Sequence, residues 1–317
     1  MTLAEMVPPS SLRSRPPEGE PGPQATKGPL RGPWRPGGPG VRSVVTSLLR
    51  HGVLIAITFV MLYPLLWMVA SSFKPENIIF TDLSIWPPSF EFGNYRQGWT
   101  ALQESFSVFF ENSFLVAILV VIGNTVSCSI TAYAFARLEF RGRRVWFVVM
   151  LGTLMLPYHV TLIPQYVLFL KLGWIDTFLP LIVPKFLAAD AFFIFLMVQF
   201  FRGIPRELDE AAVMDGCSPW RIYWKIMLPL SLPVLATTAI FSFLWTWNDF
   251  LGPLVYLNEA SKYTVPLALR SFVDATGQSA WGQLFAMSVL AVLPIFLFFL
   301  FFQRLIIEGV ASSGMKR

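Results

Sequence analysis

Apolar residues gather into six long segments from Val53 onward, and short polar stretches separate them. About 20 predominantly apolar residues suffice for a helix to cross a bilayer. Prolines lie inside several of these segments, and a membrane tolerates them as kinks where neighbouring helices satisfy the freed carbonyls. The pattern therefore predicts an all-α polytopic membrane protein with six transmembrane helices. The predicted spans cover residues 53–73, 112–137, 145–170, 178–201, 230–257 and 283–307.

The first 40 residues differ from everything that follows, because they hold 10 of the 25 prolines and 7 of the 21 glycines. Such a segment buries too little apolar surface to offset its conformational entropy. We therefore predict a disordered Pro/Gly-rich tail over residues 1–42, on the cytoplasmic side, and a membrane domain over residues 43–317. The Pro-rich runs are also compatible with binding to a partner.

The overall composition supports the membrane class. Hydrophobic residues make up 55% of the chain, charged residues make up 14%, and the mean hydropathy is +0.59. A soluble domain carries about 25% charged residues. A soluble enzyme is therefore disfavoured, and the apolar content and the two cysteines exclude a collagen, a disordered protein and a disulfide scaffold.

The distribution of basic residues predicts the orientation. With six spans, 18 of the 24 lysines and arginines fall on one side of the membrane, and that side holds both termini. Cytoplasmic loops carry the excess of Lys and Arg, so both termini are predicted to be cytoplasmic. The net charge of +5 is then a sign of topology and gives no case for nucleic-acid binding.

The elbow, residues 202–229 between the fourth and fifth predicted spans, has the pattern of two short helices joined by Gly216. Acidic residues lie at the positive end of the first helix. Ser218 followed by Pro219 is typical of a cap and first turn, so these residues start the second helix. Either the alanine-rich face of the elbow receives another protein, or the elbow lies on the bilayer as an amphipathic helix.

The spacing within the elbow separates these two alternatives. Glu210-Ala211-Ala212, three residues, Gly216, nine residues and 226–229 match the pattern E-A-A-x3-G-x9-I-x-L-P. This pattern resembles the EAA motif of the permease subunits of ABC importers, and the flanking residues look like the carbohydrate-uptake class. The chain is similar to the smaller permease of the maltose transporter. The tryptophan-rich stretch 245–250 and the end at 303–316 share the likeness, which covers about residues 43–317.

The resemblance implies the fold of a type I importer permease, in which the elbow is seated in a cleft of a cytoplasmic ATPase subunit. The implied coupling residues are Glu207, Glu210, Ala211, Ala212, Asp215 and Gly216. The implied partners are a second, different permease that completes a heterodimer, two ATPase subunits and an extracytoplasmic solute-binding protein. The implied location is the lipid bilayer of a prokaryotic plasma membrane. ATP and Mg²⁺ are then bound by the ATPase subunits.

Catalytic chemistry is missing from the sequence. ATP hydrolysis needs a phosphate-binding loop of the form G-x-x-x-x-G-K-[ST], and the chain contains no Gly-Lys pair. The two histidines, His51 and His159, have no metal-ligating neighbours at a suitable spacing. We therefore predict a transport subunit that is not an enzyme, with no catalytic residue, no metal site and no cofactor of its own.

Polar residues within the spans are costly in lipid and mark candidates for the substrate pathway. The candidates are Asn124, Ser127, Thr131, Trp245, Asn248 and Asp249. The first three share one face of the second span, where they line a sugar pathway or, as we favour, bond to a neighbouring helix. The last three combine an aromatic face with hydrogen-bonding groups, which suits a sugar. An aromatic belt with an acid at a helix end explains them equally well.

The long polar stretch 258–281 is predicted to lie outside the cell and to contact the solute-binding protein, with Lys262 and Arg270 as the contact residues. Two other functions stay open. A gradient-driven secondary carrier would show internal repeats and buried charges, which are not evident here. An importer of a polyol or of glycerol phosphate would favour cations inside the spans, where Lys185 is the only candidate.

Overall fold

The computed structural model describes residues 41–273 and 280–314, and it describes side chains for residues 46–273 and 280–303. The predicted tail therefore lies almost wholly outside the described residues. All regular structure within the described ranges is helical, which confirms the all-α class. The α-helices are α1 (Val41–Ser71), α2 (Gly93–Thr100), α3 (Phe106–Arg137), α4 (Arg143–Thr153), α5 (Tyr158–Lys171), α6 (Leu179–Phe186), α7 (Ala191–Gly203), α8 (Glu207–Met214), α9 (Pro219–Ile222), α10 (Leu228–Leu230), α11 (Leu232–Trp247), α12 (Leu251–Tyr256), α13 (Val265–Arg270) and α14 (Trp281–Gly314).

Contacts divide the chain into two units, residues 1–59 and 60–317, and the boundary falls within α1. The described part of the first unit is the beginning of α1, whose apolar side chains such as Ile55 and Phe59 are exposed. The second unit contains all the other helices. Exposed apolar helix surface of this kind is what a segment surrounded by lipid presents.

Four helical segments are long and apolar enough to cross a membrane, and two bent helix pairs bring the number to six if each pair is one span. The four are Thr46–Ser71, Phe106–Arg137, Leu179–Gly203 and Trp281–Gln303. The bent pairs are Arg143–Thr153 with Tyr158–Lys171, and Pro219–Leu230 with Leu232–Trp247. With each bent pair counted as one span, these segments follow the six predicted spans in order.

The bounds of the spans differ from the prediction where prolines interrupt the backbone. The predicted span 145–170 consists of α4 and α5, which meet at an angle of 100° beside Pro157. The predicted span 230–257 begins earlier, inside the predicted elbow, and bends by 76° near Ser231. Pro229 and Pro233 flank this bend, and each lacks the N–H that a continuous helix would use.

Helix α3 lies at the centre of the second unit, because it contributes to all three clusters of buried apolar residues. One cluster joins its C-terminal half to α7 and to the elbow through Phe201 and Tyr223. Another joins its start to α11 and α14 through Trp247 and Met287. The third joins its middle to α5 and α12. In lipid such clusters stabilise the fold through close packing, since lipid tails are as apolar as the side chains.

The end of the second unit opposite the elbow is closed by polar groups from distant parts of the chain. Lys74 is fully buried, and its ammonium donates to the carbonyls of Asp82 and Ser84 at 2.5 and 2.8 Å. The Glu76 carboxylate accepts the backbone N–H groups of Trp281 and Gly282 at 2.7 and 3.0 Å. Glu76 therefore caps the start of α14, where the free N–H groups and the helix dipole favour an anion.

Candidate functional site

The elbow has the predicted helix–glycine–helix geometry. Helix α8 ends in a Schellman motif, because the N–H of Gly216 donates to Val213 O and the N–H of Cys217 donates to Ala212 O, both at 2.9 Å. Gly216 has φ of +74°, a conformation that side chains with a Cβ adopt at a cost. The hydroxyl of Ser218 then accepts the N–H of Arg221 at 3.4 Å, as a cap of α9.

Five of the six predicted coupling residues are exposed on the elbow, and Ala212 alone is buried. The exposed side chains include large apolar ones, of which Met214 is 87% exposed and Val213 is 59% exposed. Glu207 and Glu210 are exposed beside them on α8. The elbow therefore presents a mixed apolar and acidic surface.

Polar contacts attach the elbow to α3, including a bond of 2.6 Å from the Arg137 guanidinium to the Ile204 carbonyl, and sequence reasoning missed all of them. The Arg137 guanidinium lies 3.3 Å from the Asp209 carboxylate, measured from Nε to Oδ2. The hydroxyl of Tyr133 donates to the Pro219 carbonyl at 3.0 Å. The hydroxyls of Ser129 and Tyr223 lie 2.8 Å apart. The only signal in the sequence was the spacing of four residues between Ser129, Tyr133 and Arg137, which puts them on one face of a helix.

The segment after α9 is a π-helix, Tyr223–Met227. A π-turn is rare and occurs often at functional sites. Tyr223 lies in it, with its side chain buried and its hydroxyl against Ser129. The π-turn thus helps to aim the second half of the elbow at α3.

A cavity of about 440 Å³ lies between α3, α5, α6, α11 and α12. Its polar lining includes Tyr158, Gln165, Lys185, Asp190, Trp245 and Asp249. Two of the predicted pathway residues, Trp245 and Asp249, are among these. Volumes of 300–1,000 Å³ are typical of small-molecule sites, and a mixture of aromatic and hydrogen-bonding groups suits a polyhydroxylated ligand.

The charges in the cavity lining are partly compensated. Lys185 donates to both carboxylate oxygens of Asp190, at 3.0 and 3.1 Å. The Asp249 carboxylate accepts the N–H of Gly252 at 3.1 Å and forms no ion pair among the described residues. Lys185, Asp190 and Asp249 are the only charged residues of the described lining, which therefore carries a net charge of −1 when all three are ionised.

The other predicted pathway residues do not line this cavity. Asn124 is buried and donates to the Ser242 hydroxyl of α11 at 3.2 Å. Ser127 donates to the Lys185 carbonyl at 2.8 Å, while Thr131 donates to the Ser127 carbonyl of its own helix at 2.9 Å. Asn248 is exposed and donates to Leu244 O at 2.8 Å. The bonds of Asn124 and Ser127 are the helix-to-helix contacts that the packing alternative describes.

Lys262, one of the two predicted binding-protein contacts, is engaged within its own chain. Its ammonium lies 2.8 Å from the Asp176 carboxylate and 2.7 Å from the Glu259 carboxylate. The hydrogen bond from Lys262 and the N–H groups of Asn258 and Glu259 lower the pKa of Asp176 to about 2. Arg270, the other contact, is exposed at the end of α13 and has no ion pair in the described part of the chain.

Comparisons with known proteins agree with this architecture. The family model described as binding-protein-dependent transport system inner membrane component matches residues 123–312. The arabinooligosaccharides transport system permease protein AraQ of Halalkalibacterium halodurans is 34% identical over 263 residues, which are 82% of this chain and 93% of that protein. The sn-glycerol-3-phosphate transport system permease protein UgpE of Brucella abortus is 32% identical over 276 residues, which are 85% of this chain and 97% of that protein.

The fold is similar to that of a solved transporter. A chain of a crystal structure described as a bacterial ABC transporter involved in the import of the acidic polysaccharide alginate aligns with a TM-score of 0.73 and 22% identity, over 83% of this chain and 97% of that chain. The resemblance indicated by the EAA spacing is thereby confirmed. The chain belongs to the binding-protein-dependent transport system inner membrane components, the permease subunits of ABC importers.

Proposed function

We propose that this permease couples solute import to ATP hydrolysis in partner subunits through the elbow. One observation carries the proposal: the EAA residues Glu210 and Ala211 are exposed on a short helix, α8, that is itself held against α3. A segment with large exposed apolar side chains such as Met214 is typical of an interaction surface. An ATPase subunit of an importer is the partner that this motif implies.

The complex in this proposal contains a second, different permease, two ATPase subunits and an extracytoplasmic solute-binding protein. The elbow and both termini face the cytoplasm, in line with the excess of Lys and Arg on that side. Closure of the ATPase pair on ATP moves the elbow and tilts the helices from an inward-open to an outward-open state. The ATPase subunits bind the ATP and Mg²⁺, so this chain supplies no catalytic group.

The solute in this proposal is a neutral sugar. Relatives differ in their named solutes, since one is named for arabinooligosaccharides and another for sn-glycerol 3-phosphate. The cavity favours the first kind, because its one cation, Lys185, is neutralised by Asp190, and Asp249 repels an anion. Trp245 offers an aromatic face at 52% exposure, and the carboxylates accept hydrogen bonds from sugar hydroxyls.

Purification in mild detergent tests the assembly. The tagged chain is isolated, and the proteins that come with it are identified by mass spectrometry. We expect an ATPase subunit and a second permease, with ATP-dependent uptake after reconstitution in vesicles. If the chain is recovered alone and transports in vesicles without ATP, it is a gradient-driven carrier and the proposal is wrong.

Competition for uptake tests the solute class. Vesicles that contain the whole complex and its binding protein take up a labelled neutral oligosaccharide, with or without a large excess of sn-glycerol 3-phosphate. We expect the anion to leave the rate within about 20% of its original value, since the cavity offers it no free cation. Loss of half the rate or more would contradict the assignment of a neutral solute.

A further inference from the structure

We propose that α3 is the rigid link through which movement of the elbow reaches the segment 257–273, with Ser129, Tyr133 and Asn112 as positioning residues. This inference rests on the proposed function, because it assumes that the elbow is moved by an ATPase. It adds a route through the chain, which the EAA motif does not specify. The evidence is a set of polar contacts at the two ends of one helix.

At the elbow end, one stripe of α3 holds both halves of the elbow. Arg137 pairs with Asp209 of α8, and Tyr133 donates to the Pro219 carbonyl at the start of α9. The Ser129 hydroxyl bonds to that of Tyr223 one turn further along, and both side chains are 1% exposed. A buried hydrogen bond that breaks leaves unsatisfied groups, so the elbow cannot separate from α3 without a free-energy cost.

At the other end, α3 holds the segment 257–273, which follows α12. The Asn112 amide donates to the carbonyls of Ser261 and Tyr263 at 2.8 and 3.0 Å. The hydroxyl of Ser113, a buried residue, accepts the N–H of Val265 at 2.8 Å. These bonds fix the start of α13 and the turn before it to residues 112 and 113, about two turns into α3. This is the stretch predicted to face the solute-binding protein.

Between its two ends α3 is continuous and stiff. It has 32 residues and no proline, which corresponds to a length of roughly 48 Å at 1.5 Å per residue. Helices α1, α5, α6 and α14 each contain a proline within their bounds. Residues 113, 116 and 120 of α3 line the cavity, so a tilt of α3 also moves one wall of the cavity.

The covalent route from the elbow to the cavity is less direct. The elbow continues into α11 through the 76° bend at Ser231, where Pro229 and Pro233 interrupt the helical hydrogen bonds. A proline within a helix removes a backbone hydrogen bond, so fewer bonds resist a change of angle at this bend. The bonds between α3 and the elbow therefore form the stiffer connection, and a tilt of the elbow is passed to α3.

The test compares conservative variants in the assembled complex. Ser129→Ala combined with Tyr133→Phe removes two elbow contacts, and Asn112→Ala removes the contacts at the other end. The matched control is Tyr63→Phe, because the Tyr63 hydroxyl also donates to a backbone carbonyl, that of Leu83, at 3.0 Å. The measurements are co-purification of the ATPase subunit, stimulation of ATP hydrolysis by the loaded binding protein, and solute taken up per ATP.

We expect both sets of variants to keep the ATPase subunit bound and to lower binding-protein-dependent stimulation at least fivefold, with Tyr63→Phe unaffected. A fivefold change is at the lower end of ordinary coupling between two sites. Both sets of variants interrupt one route. The combined variant should therefore lower stimulation of ATP hydrolysis by a smaller factor than the product of the two separate factors. If the role of α3 were confined to the elbow, stimulation of ATP hydrolysis would be normal in the Asn112→Ala variant.

Three outcomes would overturn the link. They are normal stimulation in the elbow variant, normal stimulation in Asn112→Ala, or loss of the ATPase subunit from the elbow variant, since that contact would then serve docking alone. Failure of the proposed function is a separate result: the wild-type chain would then lack an ATPase subunit after purification. The wild-type sample in the same experiment distinguishes the two.

Discussion

The Arg137 guanidinium joins three segments of the chain at one point. Its Nε lies 3.3 Å from the Asp209 carboxylate, and its Nη2 donates to the carbonyls of Phe201 and Ile204 at 2.8 and 2.6 Å. The side chain is only 4% exposed. Arg137 therefore adds a side-chain donor to the Phe201 carbonyl, which also accepts the Ile204 N–H at 3.2 Å, and to the Ile204 carbonyl just after α7, and it fixes the start of the elbow.

The Arg137 contact predicts a stability difference between two substitutions. Arg137→Met leaves the partly buried Asp209 carboxylate without its cation and removes one donor from each of two carbonyls, and we expect the free energy of unfolding to fall by about 3 kcal/mol. Asp209→Asn keeps Arg137 bonded to both carbonyls. The stability loss of this variant should therefore be less than half that of Arg137→Met. Thermal unfolding of the purified chain in detergent measures both variants. Equal melting temperatures for Arg137→Met and wild type would contradict this role.

Gly216 predicts an ordered series of substitutions. A Cβ at this position would meet open space, so crowding does not explain the glycine, whereas its φ of +74° does. Gly216→Ala should lower the free energy of unfolding by about 1 kcal/mol. Gly216→Asn should lower it by less, because Asn tolerates the left-handed conformation. Pro fixes φ near −65° and should abolish ATP-coupled uptake. Uptake in vesicles, with the amount of inserted chain measured alongside, checks the order; normal uptake in the Pro variant would refute it.

Trp245 and Trp247 predict opposite results on substitution by alanine. Trp247 is 2% exposed and donates to the Ala291 carbonyl at 3.1 Å, so Trp247→Ala should lower stability by roughly 3–5 kcal/mol. Trp245 faces the cavity, so Trp245→Ala should leave the melting temperature nearly unchanged and reduce uptake of the solute. Melting curves and uptake rates on the same preparations separate the two effects. A Trp245→Ala variant with normal uptake would remove this residue from the pathway.

The ion cluster of Lys262 predicts that charge reversal there is structural. Lys262→Glu places a third carboxylate beside Asp176 and Glu259 and should lower the melting temperature, whereas Arg270→Glu should not. Arg270 is therefore the cleaner test of contact with the binding protein. If Arg270→Glu destabilises the chain as much as Lys262→Glu does, the distinction is wrong.

The low pKa of Asp176 predicts the pH dependence of this cluster. Its pKa is about 2 in the folded chain, below the ordinary value of 3.8. The contribution to stability is therefore complete above about pH 4 and is lost as the pH falls toward 2. Limited proteolysis across this range, compared with an Asp176→Asn variant, checks the direction. Cleavage that increases only above neutral pH would contradict it.

The elbow and the membrane class could be predicted from the sequence because their signals are local. The glycine, the Ser-Pro cap and the EAA spacing lie within about 25 residues, and each corresponds directly to a feature of the local backbone. The contact of Arg137 with Asp209 could not be predicted, since pairing between distant residues leaves no mark in a single sequence. Trp245 and Trp247 show the same limit: two positions along a helix differ by about 200°, and only packing decides which one faces the cavity.

The central claim is that the exposed EAA surface of α8 seats the ATPase subunit, and one substitution tests it most directly. Glu210 is exposed and forms no ion pair within the described chain, so Glu210→Lys should not disturb the fold. The tagged wild type and the variant are purified in the same detergent, and the ATPase and permease partners are quantified. We predict that the variant keeps the second permease and loses most of the ATPase subunit. Equal recovery of the ATPase with both chains, together with normal ATP-dependent uptake, would contradict the account.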